Sequence, residues 1–392
     1  MHAYPRICIA GFAATAITYG PARMGFGLFL LEFREEFGLS AGTAGLISSA
    51  GFAGFFFGLP TAYALAARMS PRAPVLIGLV AAALGLGLVA AAQGPAMLAA
   101  GAALALSSAG FSWAPFNAAV THHLARGRRP TALSIVSTGT SVGVVAAGLA
   151  AVWVSLSGVS WRPAWAGFAG AALLAGTAAA LLLGPVSAGR RAPAGAPRAM
   201  LARRAVPLHA LAFAFGAAST IYISFAADGV AQSGGVAALA RGETPGLIFI
   251  SFGLAGLCGL VTGQAGRALG LERLLRALFA ACAASFALIA LAPGSLAAVL
   301  ASAALQGGFV MMISAVLAFW SERLFPGLPS MSFTVALIAV AAGSVLGPLI
   351  AGYAVYALGF AAMAGIAAGA TLIIAAMIPT RLPVEGGAAS QA

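Results

Sequence analysis

The chain carries almost no charge. Of 392 residues only 7% are charged, eight are acidic, and every one of the 20 basic residues is arginine. A soluble domain averages about 25% charged residues. A chain that is 61% hydrophobic cannot cover itself with a polar surface and belongs in a lipid bilayer. So few carboxylates leave little for general acid–base catalysis. No phosphate loop, metal-ligand motif or nucleophile triad is present either. Neither an enzyme nor a cofactor is expected. Cysteine is equally scarce: Cys8, Cys258 and Cys282 all fall in apolar runs, where they are expected as small core residues rather than a disulfide framework. A net charge of +12 would suggest a nucleic-acid partner in a soluble protein. Its placement here excludes that.

What is present is apolar sequence in long runs. Stretches 7–31, 43–67, 73–93, 95–121, 131–156, 163–184, 206–227, 245–266, 272–292, 294–321, 331–357 and 359–379 each approach the ~20 residues that span a bilayer. When the connections alternate between two sides, one side receives most of the arginines, among them Arg68, Arg72, Arg126, Arg128, Arg267 and Arg323. The other receives Arg34, Arg162 and Arg241. The arginine-rich side is expected to be cytoplasmic, with both termini inside the cell's inner membrane. The clusters can also hold anionic lipid heads. Arg6 and the apolar run after it resemble a secretory signal, but the run continues to Leu31, so it is expected to remain as the first span.

Glycines repeat half a chain apart. Gly51, Gly54 and Gly58 recur 205 residues later as Gly256, Gly259 and Gly263, and Gly139, Gly143 and Gly148 recur 204 or so later as Gly343, Gly347 and Gly352. Two patterns with nearly one offset indicate a duplicated unit, and glycine at this spacing lets membrane helices approach closely. The expected fold is an all-α membrane protein of twelve transmembrane helices in two pseudo-symmetric six-helix bundles. Residues 1–184 form the first bundle, the Pro-, Gly- and Arg-rich stretch 185–204 a cytoplasmic linker, 205–380 the second bundle, and 381–392 a disordered tail. Gly58 and Pro60 are expected to bend the second span, and Ser40 and Ser330 to cap the helices after them.

These features resemble the major facilitator superfamily, and the resemblance covers the whole chain. Gly343-Ser344-Val345-Leu346-Gly347-Pro348 with Gly352 is similar to the glycine-proline run of the family's helix 11. Trp161-Arg162-Pro163-Ala164-Trp165 resembles its entry to helix 6, and Trp320-Ser321-Glu322-Arg323-Leu324-Phe325-Pro326 the end of helix 10. Gly20-Pro21-Ala22-Arg23-Met24-Gly25-Phe26-Gly27 is similar to helix 1 of poorly characterised bacterial members. The resemblance implies a secondary transporter working by alternating access, with helices 1, 4, 7 and 10 lining the path. The chain also departs from the family. Tyr63, Ala67, Arg68, Met69 and Ser70 occupy the signature between helices 2 and 3, so the acid of the cytoplasmic latch is missing. Helix 4 has no arginine, and Gly143 is followed by Val144; both depart from the drug–proton antiporters.

Arg23 is the one charge clearly within a span, roughly 6 Å past its middle at ~1.5 Å per residue. Such a charge costs about 2.5–3.5 kcal/mol on insertion scales and faces a bundle interior or watery cavity. No acid in its own helix neutralises it. It suits bidentate capture of a carboxylate or similar oxyanion; the alternative is a structural arginine satisfied by carbonyls or by an acid such as Asp228. Tyr19 and Phe26 share its helix face. Trp113, Asn117 and Thr121 make a polar-aromatic stripe in helix 4. Ser219 and Tyr222 in helix 7 and Gln306 in helix 10 complete the candidate substrate contacts, each equally able to serve packing. Asp228, Glu272 and Glu322 are the candidates for proton coupling. His122-His123 lacks companion ligands and reads as interfacial. The function expected is transport of a small solute, an organic anion by preference, by a monomer. The rivals are an exporter of amphipathic compounds and, in another class, a non-transporting membrane receptor or lipid-handling protein. A receptor would carry a soluble output domain. Cysteines placed at Ser187 and Ser390 should resist an impermeant thiol reagent in intact cells while one at Ser40 reacts; labelling of the linker from outside would overturn the topology.

Overall fold

The computed structural model describes residues 3–70, 72–113, 115–116, 120, 124–184, 200, 202–237, 239–240 and 242–383. Asn117, Thr121, His122, His123 and most of the 185–204 linker lie outside the described residues. The described chain is helical throughout. In order the helices are α1 (Ala3–Tyr19), α2 (Pro21–Leu28), α3 (Leu30–Phe37), α4 (Ala41–Arg68), α5 (Arg72–Ala90), α6 (Pro95–Gly110), α7 (Arg129–Ser157), α8 (Arg162–Leu182), α9 (Val206–Gln232), α10 (Glu243–Gly256), α11 (Thr262–Leu269), α12 (Leu271–Leu291), α13 (Leu296–Leu324), α14 (Pro329–Leu358) and α15 (Phe360–Met377). With α10 and α11 taken as one segment, ten of these are long and apolar enough to cross a membrane; Pro95–Gly110 is a shorter apolar helix.

Two expected spans are broken. The first is cut into α1, α2 and α3. Gly20 leaves helical geometry (φ −81°, ψ −108°) and Pro21, with no N–H to give, starts the next piece. Phe29 (φ −104°, ψ 18°) separates α2 from α3. The eighth passes through a 3₁₀ stretch, Leu257–Val261, between α10 and α11. By contrast α4 runs on through Pro60, so Gly58 and Pro60 do not end it. Ser40 caps α4 by accepting the Thr43 N–H. Ser330 does not cap α14: the helix begins at Pro329 with Leu328 at the cap, because proline suits the first turn.

The duplication is visible in the contacts. Gly11 lies against Val136 of α7, and Gly216, 205 residues on, against Val340 of α14. Thr15 donates to the Val136 carbonyl at 2.5 Å and Thr220, again 205 residues on, to that of Ser344 at 3.3 Å. Gly139 and Gly143 meet the α1 backbone at Phe12 and Ala16, while Gly343 and Gly347 meet the α9 backbone at Phe213 and Ala217. The third member of each set crosses to the other half of the chain: Gly148 packs on Gly246 of α10 and Gly352 on Ala41 and Gly45 of α4. Gly51, Gly54 and Gly58 pack on α6, and Gly256 and Gly259 on Met311 of the equivalent α13; Gly263 departs from the pattern, with open space around it.

Polar contacts between the halves gather at the end of the bundle away from the termini, here the far end. The Ser48 and Ser224 hydroxyls lie 2.7 Å apart, and Ser49 donates to the Val345 carbonyl at 2.6 Å. At the opposite, terminal end of the second half a cavity of about 390 Å³ opens between Arg267, Arg323, Trp320 and Leu271. The glycine contacts should not tolerate bulk, because a side chain at Gly143 or Gly347 would enter facing backbone. Leu at either should lower the melting temperature or folded yield, a cost of about 1–3 kcal/mol or more. Gly170→Leu, with nothing within 4 Å of the new carbon, should behave like wild type. Equal stability of all three variants in detergent would remove the close-packing account.

Candidate functional site

Arg23 sits on α2 and is 7% exposed. Its guanidinium lies over three rings: Phe55 at 4.8 Å, Phe52 at 5.3 Å and Tyr19 at 5.8 Å. Gly20 separates α2, which carries Arg23, from α1. Each cation–π contact contributes about 0.5–2 kcal/mol, more when desolvated. Among the described residues no ion pair or hydrogen bond reaches this guanidinium. Its N–H donors are therefore free while its faces are covered by rings, and a desolvated fork of that kind is complementary to a planar oxyanion. Asp228, the acid that a structural arginine would need, is paired with another residue.

The other candidates are scattered. Tyr19 holds its place by donating to the Ala109 carbonyl at 3.1 Å. Phe26 is buried and its ring turns to Phe33 at 5.8 Å, away from the Arg23 box. Trp113 is half-buried and packs against apolar clusters on both sides. Ser219 is fully buried and donates to the Gly216 carbonyl of its own helix. Tyr222 points into the second half, with its hydroxyl 3.0 Å from that of Ser302 and its ring edge-on to Phe286. Gln306 is fully buried, and neither amide atom meets a hydrogen-bond partner. Phe52 and Phe55 are the contacts that sequence reasoning missed. Their three-residue spacing on one face of α4 was the available signal.

The coupling candidates divide in the same way. Glu272 accepts the Leu382 N–H at 3.0 Å and clips the chain end to α12. Glu322 is exposed at the end of α13. Asp228 is buried and spans the halves: Arg34 of α3 donates to it at 2.5 Å. Arg34 also donates to the Leu39 carbonyl, and Gln232 donates to Asp228 at 3.4 Å.

α3 carries four charges in eight residues, which places it beyond the hydrocarbon, as a cap on the far end. It is anchored on one side and latched on the other. Trp161 donates to Glu36 at 2.6 Å, and Arg162 donates to both Glu36 oxygens and to the Ala92 carbonyl. The Arg162 hydrogen bonds hold the Glu36 carboxyl below its ordinary range. This anchor fixes α3 to the first half, and Arg34–Asp228 latches it to α9 of the second. Arg34 and Arg162, two of the three arginines assigned to the far side, are thus both in ion pairs.

Apolar bundles related by an internal repeat, with broken helices, are an architecture that many secondary transporters share. Residues 8–239 match the family model of the Major Facilitator Superfamily, and the chain belongs to that superfamily of transporters. A 159-residue stretch, 40% of this chain, is 26% identical to monocarboxylate transporter 13 of Rattus norvegicus, of which it covers 36%. The match thus spans about a third of the relative's length. Among solved structures the chain is similar to a point mutant of the nucleoside transporter NupG, with TM-score 0.75, 15% identity, and 95% of this chain and 98% of that one covered. It is also similar to a bacterial homologue of the human lysosomal transporter Spinster in an inward-facing, unoccupied conformation (TM-score 0.71, 16% identity, 95% of each chain). At these identities the structural likeness establishes the fold.

The Arg34–Asp228 latch generates a double-mutant test. Either Arg34→Ala or Asp228→Ala alone leaves the other charge at the interface, buried outright in the case of Asp228. Breaking a buried pair in this way costs about 3–5 kcal/mol, and removing both partners costs less. The double variant should therefore melt above Arg34→Ala; additive losses in thermal unfolding would show that the latch carries no coupling.

Proposed function

We propose that the chain moves a small organic anion of the monocarboxylate class across the bacterial inner membrane by alternating access. Residues 1–184 and 205–380 are the two moving halves in this proposal, 185–204 joins them, and both termini are cytoplasmic. The observation that carries it is the Arg23 guanidinium: buried, boxed by Tyr19, Phe52 and Phe55, and without an anion among the described residues. A bundle retains an unpaired interior charge where that charge serves a solute. The partial similarity to a monocarboxylate transporter supports the same solute class. Asp228 is the one of the three proposed coupling carboxylates that lies between the halves, so proton coupling, where the cycle uses it, is assigned there.

The test is thermal-shift screening of the purified protein against carboxylates, phosphates and cationic drugs, followed by binding of the best carboxylate to variants. Arg23→Lys keeps the charge but loses the planar fork and should weaken binding about tenfold. Arg23→Ala should weaken it about 30-fold or more, the equivalent of about 2 kcal/mol, while the protein still folds. A folded Arg23→Ala protein that binds the carboxylate as well as wild type would sink the anion site. Stabilisation by amphipathic cations alone would replace it with the exporter of amphipathic compounds.

A further inference from the structure

Among its described residues the far-end seal holds more carboxylates than its arginines pair. Glu32 sits on α3 between the anchor and the latch, and its Oε2 is enclosed with no hydrogen-bond partner. Glu35 on its own helix and Asp228 on α9 act on it as like charges. Among the described residues the cations around α3 are engaged elsewhere: Arg34 with Asp228, and Arg162 of α8 with Glu36. On α2, Arg23 lies in its aromatic box. On α9, Gln232 turns its amide to Asp228. An ionised Glu32 would therefore be a half-buried carboxylate with one oxygen enclosed and unpartnered and like charges acting on it. A neutral one would gain a donor and relieve the repulsion.

We propose that Glu32 is a proton-binding site of the far-end seal: closing the seal binds one proton at its carboxyl, and opening releases it. Opening separates α3 from α9, breaks Arg34–Asp228 and wets Glu32, which then titrates as an ordinary carboxylate near pH ~4.3. In the sealed state burial first, then Glu35 and Asp228, push its carboxyl up to about 7. The value is raised on sealing, so protonation favours the sealed state fully below the ordinary carboxylate range. That advantage declines as pH rises and is lost above about 7. The site lies at the far surface and is independent of the anion contact at Arg23, so either can fail without the other. It takes a proton from the far-side solution and makes the opening of that face respond to its pH.

The measurement is the far-end distance between spin labels at Ser157→Cys and Ser233→Cys, both exposed, in full-length protein in liposomes with Cys8, Cys258 and Cys282 replaced by alanine. In wild type the sealed-to-open ratio should fall roughly 80-fold between pH 5 and pH 8, the size expected for one carboxyl that moves from ~4.3 to about 7 on sealing. Glu32→Gln keeps the shape and removes the titration. It should stay sealed with a flat profile and melt at or above the wild-type temperature at pH 8. A flat wild-type profile, a slope that persists in Glu32→Gln, or a Glu32→Gln protein less stable than wild type at pH 8 would each overturn the proposal.

Discussion

Backbone-to-backbone contact at glycine is the constraint on which the rest of this structure depends. In a bilayer the hydrophobic effect does not press helices together, so association relies on close packing and interhelical hydrogen bonds. The chain meets that requirement twice with the same geometry. Gly139 and Gly143 seat α7 on α1, and Gly343 and Gly347 seat α14 on α9. The threonine bonds Thr15–Val136 and Thr220–Ser344 reinforce the same two contacts. Because Gly148 and Gly352 lie on these same helices but face the opposite half, one helix in each half both holds its own bundle and docks the other. Motion between the halves is thereby tied to the packing within them.

Acidic charge is used sparingly and gathers at the far end. The far-end cap α3 holds three of the chain's eight acidic residues. They do different work because their surroundings differ. Glu36, solvated and bound by Arg162, is a firm anion that fixes the cap to the first half. Asp228 is its counterpart across the seam, holding Arg34. Glu32, enclosed without a partner, is the member whose charge the seal disfavours. An ion pair at the edge of a membrane and a carboxyl beside it give a seal that is both strong and responsive, since removing a proton changes the balance of a cluster whose described cations are already paired.

The same economy explains Arg23. A guanidinium one helix piece away from this cluster has carboxylates within the fold that it does not reach, because Arg34 already satisfies Asp228 and Arg23 lies against the rings of α4. Aromatic faces support the cation without neutralising it, and its donors stay available. The chain thus keeps a positive charge inside an apolar bundle without cancelling it, an arrangement that has a physical rationale in recognising an anion.

The sequence by itself determined the membrane class, the helical fold, the internal repeat and the special standing of Arg23. Each follows from one-dimensional quantities: the scarcity of charge, the length of apolar runs, the glycine offset, and a single arginine inside a span. The cap at Ser40 was legible for the same reason, being local backbone chemistry. Only the tertiary structure decided which partner each polar group takes. Tyr222 and Ser219 look like path-lining residues on a helical wheel, yet one turns into the second half and the other back onto its own helix. Phe52 and Phe55 are far from Arg23 in sequence but enclose it, and the enclosure of one Glu32 oxygen exists only in the packed fold. Contacts across a bundle depend on how α3, α4 and α9 are rotated and offset against one another, and no local pattern in the chain encodes those angles.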